Sequence, residues 1–262
     1  MDVIYNNRSY RLPDFLIIGL GKCGTTTLAE LLNAHPEAGL SAVKEPHFFS
    51  YDEIYKRGIP WYATLFNHCR DARIIGEAST SYSRIHQHPD VLDRIHQYLP
   101  DARIIMMVRH PMDRIISAYI EWLATPNHDQ TYSSINDALI GMSTFIEASR
   151  YWKIYTAYKT RFGEEKMHVV WFDDLVAKQQ VAFSGVSRFL GIDDTWLPPH
   201  KTIQANARWE VEQRAREFGR DADAVDLSWN QQSRDLLRRE LASDIGSFLK
   251  HFNREDLWPD LF

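Results

Sequence analysis

Three closely spaced glycines, Gly19, Gly21 and Gly24, follow a short apolar run at residues 15–18. The run has the length of a buried strand, and the glycines allow a tight loop whose backbone N–H groups point inward. Lys22 lies within this loop, and a helical pattern begins directly after Gly24. A strand, a glycine loop, a helix N-terminus and a lysine together predict a site for a phosphate-like anion.

The residue order in this loop differs from two common phosphate-binding loops. A nucleoside-triphosphate loop has the order G-x-x-x-x-G-K-[ST], whereas Lys22 precedes the last glycine here. The dinucleotide fingerprint G-x-G-x-x-G fits the glycine spacing, and Glu37 or Glu45 lies near the position of its acidic residue. That fingerprint does not explain Lys22 or the threonines at 25–27, which add donors where a dinucleotide loop has small residues.

A second basic element follows another apolar run, at residues 102–108. Arg109 comes directly after this run, Pro111 stands where a helix can begin, and Ser117 lies eight positions after Arg109. An arginine at a strand end and a serine two turns into the next helix can hold one more phosphate group. The two elements together predict a ligand with phosphate-like groups at both ends.

Apolar runs alternate with helical patterns along the whole chain, and this order defines the elements that must position the two basic groups. The predicted buried strands are 15–18, 72–76, 102–108 and 167–172, and the predicted helices are 25–34, 89–98, 112–123, 134–140, 147–162, 178–190 and 231–250. The alternation predicts an α/β fold of three layers, α/β/α, around a central parallel sheet. No linker divides the chain, so we expect one domain over residues 1–262.

Three stretches lack a helical or strand period and are interpreted as loops. Residues 44–62 are aromatic and irregular, and we expect them to lie over the anion site. Residues 125–133 are polar and indicate a surface loop, and residues 198–206 indicate a flap.

Composition restricts the class of protein. The chain has 262 residues, 44% of them hydrophobic, which is enough for a full core, and its net charge of −5 gives no basic field for nucleic acid. Its two cysteines cannot build a disulfide scaffold, and no apolar run reaches the roughly 18 residues of a membrane span. With an N-terminus that lacks an apolar signal core, these features predict a cytoplasmic protein without a membrane span.

The two basic elements, GKCGTTTL at 21–28 and RHPMDRIISAY at 109–119, together resemble the sulfotransferases that use 3′-phosphoadenosine 5′-phosphosulfate (PAPS). EPHFF at 45–49 and GIPWY at 58–62 resemble stretches of the heparan-sulfate-type, or carbohydrate, members. The resemblance covers nearly the whole chain. It implies a P-loop nucleotide-kinase-like domain that transfers a sulfuryl group from PAPS to a hydroxyl or amine of a glycan, a lipid or a small metabolite. It also implies release of adenosine 3′,5′-bisphosphate (PAP), without a metal.

The resemblance implies which residues bind the donor. The loop around Lys22 would hold the 5′-phosphosulfate, and Arg109 and Ser117 would hold the 3′-phosphate. Lys201 and Asn206 stand where the family has a loop that closes on the 3′-phosphate. The implied donor-binding residues are Lys22, Cys23, Gly24, Thr25, Thr26, Thr27, Arg109, Ser117 and Lys201.

The resemblance also implies the catalytic groups, Lys22, Glu45 and His47. Lys22 would act on the charge of the leaving phosphate. Glu45 matches the family's glutamate in Glu-x-His-Phe-Phe and is the first candidate for the base that takes the acceptor's proton. His47 is the second candidate, and Lys44 is a candidate to hold the sulfate oxygens.

Two features distinguish the chain from the heparan-sulfate members. Ala78 follows Glu77 where those members usually carry a lysine, and no cysteine follows Cys69 to form their disulfide-tied hairpin. Two other classes stay open from the residues alone: a small-molecule kinase that uses Mg-ATP, and a non-catalytic nucleotide-binding module.

Overall fold

The computed structural model describes residues 2–125, 132, 134–197, 226–259 and 261. The chain divides into two compact units, Met1–Val108 with Tyr155–Ala205 and Arg109–Ile154 with Asn206–Phe262. The single domain expected from the sequence stays a prediction.

A five-stranded parallel sheet forms the centre of the first unit. The strands are β1 (Asp2–Tyr5), β2 (Arg8–Arg11), β3 (Phe15–Gly19), β4 (Ala38–Leu40), β5 (Ile74–Ala78), β6 (Arg103–Val108) and β7 (Met167–Trp171). β1 and β2 pair as an antiparallel hairpin, and the other five form the parallel sheet in the order β4-β5-β3-β6-β7. The four predicted strands are confirmed within two residues at each end, whereas β1, β2 and β4 were not predicted.

Helices connect the strands of the sheet and are the main elements in the described part of the second unit. They are α1 (Thr25–Ala34), α2 (Asp52–Tyr55), α3 (Gly58–Thr64), α4 (Val91–Tyr98), α5 (Pro111–Leu123), α6 (Ile135–Gly141), α7 (Thr144–Glu147), α8 (Tyr151–Phe162), α9 (Phe172–Ala177), α10 (Gln179–Leu190) and α11 (Gln231–His251). Among the described residues, no helix combines the length and apolar character needed to cross a membrane.

Two sequence expectations about helices need correction. The single helix predicted over 147–162 is divided, because α7 ends at Glu147 and α8 begins at Tyr151. The stretch 44–62, predicted as irregular, contains α2 and most of α3. Its many aromatic residues hide the helical period. The predicted flap at 198–206 and most of the predicted loop at 125–133 lie outside the described residues.

Local chemistry explains several helix boundaries. α1 ends where His35 adopts an extended conformation, since Pro36 disfavours a helical residue before it. α5 starts with Pro111, which has the helical φ and needs no hydrogen-bond acceptor at this position. α10 ends at Leu190 and is followed by Gly191, whose φ of 71° suits a left-handed C-terminal cap.

The sheet brings three strand ends to one edge. All residues of β3 and β5 are buried, as expected for parallel strands covered on both faces. β3 pairs with β5 on one side and with β6 on the other. The order of the strands reverses at β3, because β4 and β5 lie on one side of it and β6 and β7 on the other, and ligands of open α/β sheets bind at the carboxyl ends of the strands at such a point. The structure thus confirms an α/β fold with a central parallel sheet flanked by helices.

Replacing Gly76 with alanine is expected to destabilise the protein. Gly76 pairs with Phe15 across β5 and β3, and a Cβ at position 76 would overlap the buried Phe15 ring. Overpacking of this kind costs about 1–3 kcal/mol, so the melting temperature of Gly76→Ala should fall in a thermal unfolding experiment.

Gly246 is the matched control, because it lies exposed in α11 with nothing within 4 Å of a Cβ at this position. Gly246→Ala should raise stability by roughly 0.5–1 kcal/mol through helix propensity. Equal melting temperatures for Gly76→Ala and the parent protein would contradict the packing described for β3 and β5.

Candidate active site

The predicted anion site is a loop between β3 and α1. We call residues 20–24 the anion loop. Its backbone is left-handed at Lys22 and Gly24, with φ of 70° and 87°. Leu20 N–H donates to Met107 O at 2.7 Å, which fastens the loop to β6. A Cβ at position 24 would lie 2.9 Å from the Phe172 ring, so both the backbone angle and the space require glycine there.

The anion loop leads into the N-terminus of α1. The first turn of an α-helix carries N–H groups that have no acceptor within the helix, and the helix dipole adds partial positive charge there. Lys44 brings an ammonium group to the same place, because its Nζ donates to Thr26 Oγ1 at 2.6 Å. The region predicted to bind an anion therefore has the geometry and charge for it.

Glu45 and His47 lie together in a strained loop. We call residues 44–47 the base loop. Both residues have a φ of 54°, and Glu45 Oε2 lies 3.4 Å from His47 Nε2. Thr80 Oγ1 donates to the same Glu45 oxygen at 2.9 Å, and His47 Nδ1 lies 2.8 Å from Ser81 Oγ. The structure thus brings both candidate bases to one place and leaves each about a quarter exposed.

Two contacts place the base loop beside the anion loop. Thr80, which donates to Glu45, also lies next to Gly21: a Cβ at position 21 would be 3.7 Å from Thr80 Cβ. The Lys44 contact with Thr26 is the second connection. The candidate base and the candidate phosphate site are therefore neighbours at the carboxyl ends of β3 and β5.

Burial sets the protonation of His47. Desolvation is the largest effect and lowers the pKa of His47 below its ordinary 6.5; Arg84 and His88 lower it further, while Glu45 opposes the shift. The imidazole is consequently neutral near pH 7 and able to accept a proton. The site contains two groups with basic character, a carboxylate and a neutral imidazole.

A second carboxylate, Glu77, lies beneath the base loop with no exposed surface. Tyr62 Oη and Tyr82 Oη donate to its Oε1 at 2.6 Å each, and Ser79 Oγ donates to its Oε2 at 2.6 Å. Burial raises the pKa of Glu77 from 4.5 to about 7; the three hydroxyl donors lower it and the nearby Glu45 raises it. Glu77 is thus a carboxyl group that titrates near neutral pH.

The second unit carries Arg109 and Ser117, two of the three residues predicted to hold the 3′-phosphate. Arg109 immediately precedes α5, and Ser117 lies two turns into that helix, partly exposed. Tyr151 Oη donates to Arg109 O at 2.7 Å, and the Arg109 guanidinium lies 4.0 Å from Asp113 Oδ2. Lys201 lies outside the described residues. The binding roles of all three residues stay predictions.

Sequence reasoning missed the hydroxyl groups that hold the base loop. Ser79, Thr80 and Ser81 form polar contacts with Glu45, His47 or Glu77. A signal was present, because this polar run directly follows a buried strand, where residues gather at the ligand-binding edge of a parallel sheet.

A parallel sheet with a glycine loop between its central strand and a helix defines a P-loop-like α/β protein. Within this class the chain belongs to the sulfotransferase family, since the family model described as "Sulfotransferase domain" matches residues 12–256. This confirms the resemblance found in the sequence. Among the described residues, no group of three or more His, Cys, Asp or Glu side chains is placed to hold a metal ion.

The curated relatives match this chain over only part of their own length. Heparan sulfate glucosamine 3-O-sulfotransferase 5 of Homo sapiens is 31% identical over 198 residues, which are 72% of this chain and 55% of that protein. Heparan sulfate glucosamine 3-O-sulfotransferase 6 of Homo sapiens is 40% identical over 114 residues, 44% of this chain and 32% of that protein. The chain therefore matches from about a third to about half the length of these relatives.

A solved structure supports the fold over nearly the full length. The crystal structure of a sulfotransferase from Alicyclobacillus acidocaldarius superposes with a TM-score of 0.73 at 24% identity, and the match covers 93% of this chain and 96% of that one.

The pKa of Glu77 has a consequence for stability. A carboxyl group whose pKa is higher in the folded than in the unfolded protein stabilises the fold fully below its unfolded pKa, and this contribution is lost as the pH rises through the folded pKa. For a pKa of about 7 against 4.5 the loss is about 3 kcal/mol. The side chain of Gln does not titrate in this range. The free energy of unfolding of Glu77→Gln should therefore rise relative to that of the parent protein, by up to this amount, between about pH 4.5 and about pH 8.

Urea unfolding of both proteins at several pH values measures this difference. Stability curves that run parallel across the range would contradict a Glu77 pKa near neutrality.

Proposed function

We propose that the protein transfers a sulfuryl group from PAPS to a hydroxyl or amine of an acceptor by in-line displacement and releases PAP. The observation that carries this proposal is the placement of Glu45 beside the anion loop, through Thr80 and through the Lys44 contact with Thr26. A sulfuryl transferase needs these two parts as neighbours, because the acceptor must meet the donor where its proton can be removed.

The anion loop suits the 5′-phosphosulfate end of the donor. Glycine at 21 and 24 leaves space that side chains would fill against Thr80 and Phe172. The groups we assign to this end are the side chain of Lys22 and the N–H and hydroxyl groups of Cys23, Gly24, Thr25, Thr26 and Thr27. We assign Arg109, Ser117 and Lys201 to the 3′-phosphate.

The donor supplies a sulfuryl group attached to a phosphate leaving group. Glu45 accepts the proton of the acceptor while the acceptor oxygen or nitrogen forms its bond to sulfur. Lys22 stabilises the electron pair that the breaking sulfur–oxygen bond leaves on the 5′-phosphate. Neutral His47, 3.4 Å from Glu45 Oε2, orients that carboxylate and is the alternative base. These steps need no metal ion.

The acceptor is proposed as a class. The curated relatives are named for the 3-O-sulfation of heparan sulfate glucosamine. Ala78 in place of a lysine and a net charge of −5 leave less positive charge for a sulfated polysaccharide. We therefore propose an acceptor among glycans, lipids and small metabolites, in the cytoplasm, and we assign the activity to one domain over residues 1–262.

A small-molecule kinase is the alternative function, and the loop does not favour it. Magnesium in P-loop kinases is held by a hydroxyl directly after the loop lysine, and Cys23 stands at that position here.

Thermal shift separates the two functions. PAP without metal should raise the melting temperature, since it fills both phosphate sites, and Mg-ATP should not. Arg109→Ala should weaken PAP binding by about 1.5–3 kcal/mol, the value of a charge-assisted hydrogen bond, and so reduce the shift. Arg238→Ala, an exposed arginine of α11, is the control. Stabilisation by Mg-ATP alone would support the kinase.

Lys22→Ala should lower kcat more than it weakens PAP binding. The charge that Lys22 stabilises is complete only as the sulfuryl group leaves, so its loss should reduce kcat by about 10²–10³. Steady-state kinetics with PAPS and calorimetry with PAP measure the two effects. Lys56→Ala, which removes an exposed lysine of the same unit, should leave both unchanged. An unchanged kcat with a raised KM for PAPS would show that Lys22 only binds the donor.

Glu45→Gln should keep PAP binding and lower kcat by about 10²–10⁴, because the amide keeps the shape and loses the basicity. Glu53→Gln, on an exposed carboxylate, is the matched control. His47→Ala should lower kcat less. An active Glu45→Gln together with an inactive His47→Ala would assign the base to His47.

A further inference from the structure

No step of the proposed chemistry uses the buried carboxyl group of Glu77. Hydroxyl groups of Tyr62, Tyr82 and Ser79 surround it, so it cannot reach an acceptor. A carboxylate buried among hydroxyl donors rather than beside a cation is costly compared with an apolar side chain of the same size. This placement calls for a role other than stability.

Ser79 connects Glu77 with the base loop. Its Oγ donates to Glu77 Oε2 at 2.6 Å and accepts from the backbone N–H of His47 at 3.0 Å. A serine hydroxyl has one hydrogen and can turn it in several directions. Glu77 Oε2 accepts that hydrogen, which leaves the lone pairs of Ser79 turned toward the His47 N–H.

The base loop needs this support because its backbone is strained. Glu45 and His47 both have a φ of 54°, a region that residues other than glycine rarely adopt. Such residues keep this conformation only where their surroundings hold it. The backbone N–H groups of the two residues are held by Ala78 O at 3.1 Å and by Ser79 Oγ at 3.0 Å. The second of these contacts depends on a side chain.

We propose that Glu77 is a positioning residue that acts through Ser79: the carboxylate orients the Ser79 hydroxyl, which holds the His47 N–H and so keeps Glu45 and His47 in the reactive conformation. The proposal rests on the proposed function of the base loop, and it assigns Glu77 no contact with donor or acceptor.

Ser79→Ala tests the connection. It should lower kcat about tenfold, the value of one hydrogen bond, and leave PAP affinity within about twofold, because the anion loop is untouched. Ser79→Thr keeps the hydroxyl, and the φ of −135° at this position suits a β-branched residue, so kcat should return to within about threefold of the parent value.

Tyr158→Phe is the matched control for the loss of a buried hydrogen bond. Tyr158 Oη donates to the backbone oxygen of Tyr82 at 2.9 Å, whereas the hydroxyl groups that donate to Glu77 are those of Tyr62, Tyr82 and Ser79. Tyr158→Phe should lower the melting temperature without changing kcat. A kcat for Ser79→Ala equal to that of the parent protein, or a Tyr158→Phe variant slowed as much as Ser79→Ala, would overturn the proposal.

A double-mutant cycle tests whether Glu77 acts through Ser79. Tyr62 and Tyr82 both donate to Oε1, so the oxygen of Glu77→Gln should take that position and its NH2 group, a donor, should face Ser79. The substitution should lower kcat in the parent protein and have no further effect in Ser79→Ala. Effects on kcat that multiply in the double variant would show that Glu77 acts by another route.

Hydrogen exchange gives a readout that does not need turnover. The amides of the peptide 44–50 should exchange about tenfold faster in Ser79→Ala and in Glu77→Gln than in the parent protein or Tyr158→Phe. Unchanged exchange in both variants would refute the positioning role. If exchange is faster in both variants but the parent protein sulfates no acceptor, the proposed function is refuted and the connection from Glu77 through Ser79 to the base loop stands.

Discussion

The pairing of β3 with β5 is the constraint on which the site depends. Parallel neighbours end at the same edge of a sheet, so the anion loop after β3 and the hydroxyl run after β5 (Ser79, Thr80 and Ser81) must lie side by side. Both strands are wholly buried, and the pairing that fixes their register also fixes the distance between the two polar segments. The base loop then needs only to attach to the hydroxyl run to bring Glu45 beside the anion loop.

The two carboxyl groups at this edge differ in exposure, and the roles that we propose for them follow from this difference. Glu45 is partly exposed and shares its Oε2 between Thr80 and His47. Glu77 is enclosed, and burial keeps its pKa near neutrality. We therefore propose that Glu45 meets the acceptor and that Glu77 acts on the site through the hydroxyl groups that surround it. Lys44 supplies positive charge at the N-terminus of α1, where its Nζ donates to Thr26 Oγ1.

Sequence patterns predicted the parts of the fold that local chemistry decides. The strand, glycine loop and helix from Phe15 to Ala34 follow from an apolar run and three glycines, and the structure confirms these elements. β4 has only three residues, too few for a periodic signal. The left-handed backbone of Glu45 and His47 has no sequence signal, because contacts with residues more than thirty positions away hold it. The hydroxyl run was visible in the sequence, but its partners depend on tertiary packing.

Donor specificity tests the central claim most directly. The protein would be incubated with a mixture of hydroxyl- and amine-bearing acceptors and with sulfur-labelled PAPS or, in parallel, sulfur-labelled adenosine 5′-phosphosulfate, which lacks the 3′-phosphate. Mass spectrometry would follow the label into an acceptor. Transfer of label from PAPS without added metal, with little or none from the second donor, is the predicted result. Equal transfer from both donors would contradict a site that holds phosphate-like groups at both ends of its ligand, and no transfer from either would contradict sulfuryl transfer itself.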